Sequence, residues 1–76
     1  MTNELSIPEE LLKKMRGNKK VLLDMLIDNP EGIASKKLLQ ITGISNIYDV
    51  KYKLKEELSD FNLKITSKQV WKLEKN

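Results

Sequence analysis

Apolar residues in this chain recur at spacings of three and four as far as Leu58, and from Phe61 onward at every second position. A helix turns by about 100° per residue and a strand alternates its faces, so this change of period marks a helical body followed by β structure. Leu63 and Ile65 alternate with Asn62, Lys64 and Thr66, and Trp71 and Leu73 alternate with Val70, Lys72 and Glu74. Two such runs predict an antiparallel hairpin. Neither Asn-Gly nor Asp-Gly lies between them, so the tip is expected to be a four-residue loop, Thr66-Ser67-Lys68-Gln69.

The helical body divides at its punctuation. Ser6-Ile7-Pro8-Glu9 combines a capping hydroxyl, a first-turn proline and a carboxylate three residues after the serine. It predicts a short helix over 7–15, with Leu11, Leu12 and Met15 on one face and Gly17 as its stop. That face either packs on the core or joins two copies. Asn18 is the expected cap of a second helix to Asp28, with Val21, Leu22, Met25 and Leu26 facing inward. Asn29-Pro30-Glu31-Gly32 ends it, and Ile33-Ala34 reads as a one-rung strand. Ser35 is the expected cap of a two-turn helix through Ile41, closed by Gly43. Ser45 or Asn46 then caps a longer helix to Ser59, with Ile47, Val50, Leu54 and Leu58 on its core side. Two capped helices joined by a tight glycine-containing turn form a helix-turn-helix pattern.

With 76 residues there is material for one core. Hydrophobic residues at 39% and charged residues at 33% suit a folded domain with a heavily solvated surface. An arm with a short helix, 1–17, is expected to precede the main unit, 18–76. Histidine and cysteine are both absent, which removes the commonest general base, the thiolate metal ligands and any disulfide. The acidic pairs Glu9-Glu10 and Glu56-Glu57 are helix neighbours pointing about 100° apart, so they do not share a proton. No glycine-rich phosphate loop occurs. The expectation is a protein without enzymatic activity, cofactor or metal. The apolar run 21–27 is broken by Asp24 and far shorter than a membrane span, and residues 1–5 lack a secretory pattern. A cytoplasmic location is expected, with no membrane partner.

Charge points to a partner class. The formal net charge is +3, yet residues 1–35 hold five basic against six acidic residues and the remainder nine against five. On the helix ending at Ser59, Tyr48, Lys51, Tyr52 and Lys55 form a stripe centred about 90° from the core stripe, while Asp49, Lys53, Glu56 and Glu57 occupy the remaining arc. A helix placed in a major groove needs such sorting, because the face against phosphates and base edges must exclude carboxylates. Asn46 lies at the start of this helix. Ser35, Lys36 and Lys37 begin the preceding helix, where free amides and positive charge can hold a phosphate. Lys64 and Lys68, with Ser67 and Gln69, put further donors on the hairpin. Taken singly, each lysine also reads as ordinary solvated surface. Trp71 lies among lysines like a stacking platform, but it shares a strand face with Leu73, so core packing is the expectation, as for Phe61.

Asn29-Pro30-Glu31-Gly32-Ile33-Ala34-Ser35-Lys36-Lys37-Leu38-Leu39, then Asp49-Val50 with Leu54 and Leu58, then Val70-Trp71-Lys72-Leu73-Glu74, resembles winged helix-turn-helix DNA-binding domains, particularly the effector domains of bacterial response regulators. The resemblance covers residues 18–74 and rests on capping, core and turn positions. It implies a mainly α fold with a small β-hairpin, 46–59 as recognition helix and 66–69 as wing. No sheet or receiver domain is expected ahead of the helices, the hairpin tip is short and lacks glycine, and phosphorylation-driven regulation does not carry over. The expected function is a small sequence-specific double-stranded DNA-binding transcriptional regulator of bacterial, plasmid or phage type. It would act as a homodimer on two half-sites, with the N-terminal helix as dimer surface. The alternative is a winged-helix module that docks a host or regulatory protein through Tyr48 and Tyr52, kept open by the modest net charge and the absence of any arginine beyond Arg16. Binding of single strands or RNA is a third option.

Overall fold

Pro8 opens the helical body: its extended backbone leaves a carbonyl that accepts from the Leu11 and Leu12 amides at 3.0 and 3.3 Å. A computed structural model describes residues 7–75, arranged as α1 (Glu9–Lys14), α2 (Gly17–Asp28), α3 (Ser35–Thr42), α4 (Ile47–Ser59), β1 (Leu63–Ser67) and β2 (Trp71–Lys75). The chain is mainly helical, with a small two-stranded antiparallel hairpin. The expected capping role of Ser6 lies outside the described residues.

Several helix boundaries differ from expectation: α1 begins at Glu9 rather than 7 and α3 runs one residue further, to Thr42. α1 stops at Lys14, because Met15 and Arg16 turn extended; Gly17 does not end α1 but begins α2, at φ 61°. Asn18 therefore sits inside α2, and Arg16 holds the cap position without a side-chain bond. Ser35 is likewise the first helical residue of α3 rather than its cap, which falls to Ala34. The cap thus falls two residues before the expected one in α2 and one residue before it in α3. At α4 the cap is Asn46, whose carbonyl accepts from the Asp49 and Val50 amides at 3.1 Å, although its side chain makes no capping bond.

The stops follow the sequence. Asn29 closes α2 through its amide and its side-chain Nδ2, which donates to the Met25 carbonyl at 2.8 Å, and Gly32 completes the turn onto the Asn29 carbonyl at 2.8 Å. Gly43 adopts φ 70° after α3, and its amide reaches the Leu39 carbonyl at 2.9 Å. Ile33 pairs with Trp71 through two backbone bonds of 3.0 and 2.8 Å, so the one-rung strand forms as expected.

The core gathers Leu11 and Met15 of the N-terminal segment, Leu22, Leu23 and Leu26 of α2, Leu38 of α3, Ile47, Val50, Leu54 and Leu58 of α4, and Leu63, Ile65, Trp71 and Leu73 of the hairpin. Segment 9–15 thus buries its apolar face in the same core as the rest of the chain. α4 matches its expected stripe residue for residue. α2 does not: Val21 is 41% exposed and Leu23 is fully buried. The reason is that α2 touches α3, α4 and β2 at once, which draws the buried arc round to Leu23. The hairpin register pairs Ser67 with Trp71 and Thr66 with Lys72, so the connection is Lys68-Gln69-Val70, three residues rather than four. Trp71 is anchored by Ile33, and Ser67 opposite it is thereby held in the ladder.

Candidate nucleic-acid interface

Because Ile47, Val50, Leu54 and Leu58 turn inward, the tyrosine–lysine stripe of α4 is driven outward. Tyr48 and Tyr52 are 63% and 62% exposed, and Lys55 is exposed beside them. Lys51 is different. It is half-buried, its ammonium donates to the Ser67 hydroxyl at 2.9 Å, and it stands 4.9 Å from the centroid of the Trp71 ring. The Tyr48 ring meets the same tryptophan edge-on, at 5.4 Å between centroids and 68° between planes. Trp71 is itself buried, as expected of a core residue, so its ring is unavailable as a platform for stacked bases. It forms instead the floor on which the start of α4 and the end of the hairpin meet.

The same tryptophan places α3. Its backbone pairs with Ile33, two residues before Ser35, so the start of α3 is tied to the hairpin rung that touches α4. Lys36 and Lys37 are exposed on the first turn of α3, and Ser35 is half-buried. Asn46 is exposed immediately before α4. Lys64 does not join this group. It lies across from Glu74 on the solvent face of the hairpin, opposite the buried Leu63 and Ile65 face, and shares an open groove there with Thr66, Lys68 and Lys72. Lys68, in the hairpin connection, is exposed.

Of the three carboxylates of α4, Asp49 and Glu57 are engaged in ion pairs, while Glu56 is exposed without one among the described residues. Asp49 pairs with Lys53 at 3.2 Å. Glu57 accepts from Lys19 at 2.6 Å and from Lys14 at 3.1 Å, and these two hydrogen bonds, Lys19's foremost, hold its carboxyl below the usual carboxylate range. The Glu57 charge is therefore neutralised where α4 faces α1 and α2, away from the tyrosine–lysine stripe. Among the described residues no cluster of three acidic, histidine or cysteine side chains could hold a metal ion, and no helix is long and apolar enough to cross a membrane.

Sequence reasoning missed the junction of Lys51 with Ser67 and Trp71. The one trace of it in the sequence is that Ser67 continues the inward phase of Leu63 and Ile65, which places a polar group on the helix-facing side of the strand. Comparison with family models, with curated proteins and with solved structures returns no match.

Proposed function

We propose that this chain is a winged helix-turn-helix domain that binds duplex DNA, with α4 as its reading helix. The observation that carries this reading is the exposed, carboxylate-free stripe of Tyr48, Tyr52 and Lys55, set beside the hairpin end and the first turn of α3. The order of elements supports it: α2, the Ile33 rung, α3, a glycine-containing turn, α4, then a hairpin whose second strand pairs back to Ile33. On this reading the tyrosines meet base edges and thymine methyl groups. Lys55, Lys36 and Lys37 neutralise phosphates, aided by the free amides at Ser35, and Asn46 and Lys68 flank the groove. Lys64, on the outer hairpin face, is the most peripheral member. The function that follows is sequence-specific regulation of transcription, of bacterial, plasmid or phage type, in the cytoplasm.

Tyr52 and Lys55 make no hydrogen bond or ion pair among the described residues, so both can be truncated without disturbing the fold. The double variant Tyr52→Ala, Lys55→Ala should lose duplex binding in a gel-retardation assay while keeping its melting temperature within about 2 °C, as surface substitutions do. Undiminished retardation by the folded variant removes α4 as the reading helix.

A second reading is favoured by Ile41, 54% exposed, and Leu39, 37% exposed, on α3. Exposed tyrosine and aliphatic side chains suit a protein partner, although Leu39 and Ile41, two positions apart, point to opposite sides of α3. A salt titration separates the two readings. Phosphate contacts make affinity fall steeply with salt, whereas docking through tyrosine and aliphatic side chains is much less sensitive.

A further inference from the structure

Lys51 and Lys55 occupy one stripe of one helix, one turn apart, but the fold treats them differently. Lys55 is exposed, with no partner among the described residues. The Lys51 ammonium is directed at the hairpin, bonded to the Ser67 hydroxyl at 2.9 Å and set 4.9 Å from the centroid of the Trp71 ring. Ser67 and Trp71 face each other on the last rung before the three-residue connection Lys68-Gln69-Val70. Lys51 therefore grips the rung from which the tip projects. The backbone of Trp71 is held from another side by Ile33, and its ring by the edge of Tyr48, so the rung is fixed from α4 and from the start of α3 together.

We infer that Lys51 is a positioning residue that orders the hairpin tip for contact with DNA, and that phosphate neutralisation on α4 falls to Lys55. This rests on the DNA reading of α4 given above. A brace formed before binding removes the cost of ordering the tip in the complex. Its effect on affinity is bounded by its own strength, that of one exposed hydrogen bond and one cation over an aromatic ring, or about two- to fivefold. Such a contribution does not depend on released counterions, so it leaves the salt dependence of binding intact, whereas removing a lysine that neutralises a phosphate lowers the slope.

The test compares Lys51→Ala, Lys51→Arg and Lys55→Ala in the full chain. Affinity for a short mixed-sequence duplex is measured across a salt series, and amide hydrogen exchange and Trp71 emission are measured without DNA. Lys51→Ala should weaken binding about two- to fivefold at every salt concentration with an unchanged slope, while Lys55→Ala lowers the slope by about one. Without DNA, Lys51→Ala should speed exchange of the Trp71 amide, which donates to the Ile33 carbonyl on the braced rung, about two- to fivefold and shift the Trp71 emission, with core amides of α2 unaffected. Lys51→Arg, which keeps a cation and donors at the same place, should restore both. A slope lowered by about one in Lys51→Ala would make this lysine a phosphate contact and overturn the proposal. So would unchanged exchange of the Trp71 amide. A wild-type chain that fails to bind duplex overturns the DNA reading and the positioning role together, and the exchange measurement then reports separately on whether the brace exists.

Discussion

Gly32 meets two constraints at once. Its φ of 108° lies in the region that disfavours any side chain, and a Cβ there would overlap the Val70 Cγ2 methyl and come within 3.0 Å of the Val70 Cβ. The turn after α2 thus packs directly under the hairpin connection, which is what allows Ile33 to reach Trp71. Gly43 also has a positive φ, 70°, but open space around it. Gly32→Ala should therefore lower stability by more than about 2 kcal/mol, the sum of backbone and overpacking costs, and Gly43→Ala by only about 1 kcal/mol. Urea unfolding of the two variants measures the difference. Equal losses would show that Val70 gives way without cost.

Among the elements, α1 depends most on a few side chains. It is six residues long, too short to persist alone, and is held by Leu11, by Met15 just beyond it, and by the Lys14 ion pair with Glu57 of α4. Glu57 also receives Lys19 of α2, so one carboxylate links three helices. Its pKa is lowered from an ordinary value of 4.5. A lowered carboxyl pKa stabilises the fold fully above the unfolded value, and the contribution is lost as pH falls through the folded value. Glu57→Gln should therefore lower stability at pH 7 by roughly 0.5–1 kcal/mol, modest because Lys14 is partly solvated, and the gap to the parent should close as pH drops below about 4. Melting temperatures followed from neutral to acidic pH test this. A gap that stays constant with pH would mean that Glu57 acts through packing and not charge. The apolar face of α1 is occupied by the chain's own core, so if copies pair through this helix they do so through its remaining polar surface.

For the molecule as a whole, the extents are 30 × 28 × 17 Å. Half-sites on one side of a duplex repeat at about 34 Å, so two copies of a body this wide fit side by side in successive major grooves. On the proposed DNA reading one copy offers few reading residues, so a pair on two half-sites is the expectation. Selection from random duplex DNA should thus recover a motif with two half-sites about 10 base pairs apart. A single undivided half-site among the recovered sequences would argue for a monomer.

Local chemistry alone determined a good part of this protein. The core stripe of α4, the Asn29-to-Gly32 stop, the Gly43 cap, the Ile33 rung and the alternation of the hairpin all depend on neighbours within a few residues, whose periodicity and turn preferences are written in the chain. So is the sorting of tyrosine and lysine from carboxylate around α4. Other features depend on residues far apart in sequence. Val21 faces out and Leu23 in because α2 packs on three elements at once. The hairpin tip is three residues rather than four because the Trp71 rung, held by Ile33, keeps Ser67 in the ladder. Lys51 turns from the outer stripe toward the hairpin because a hydroxyl 16 positions away and an indole 20 positions away are brought beneath it. Helical periodicity assigns a side chain to a direction, and only packing decides what stands in that direction.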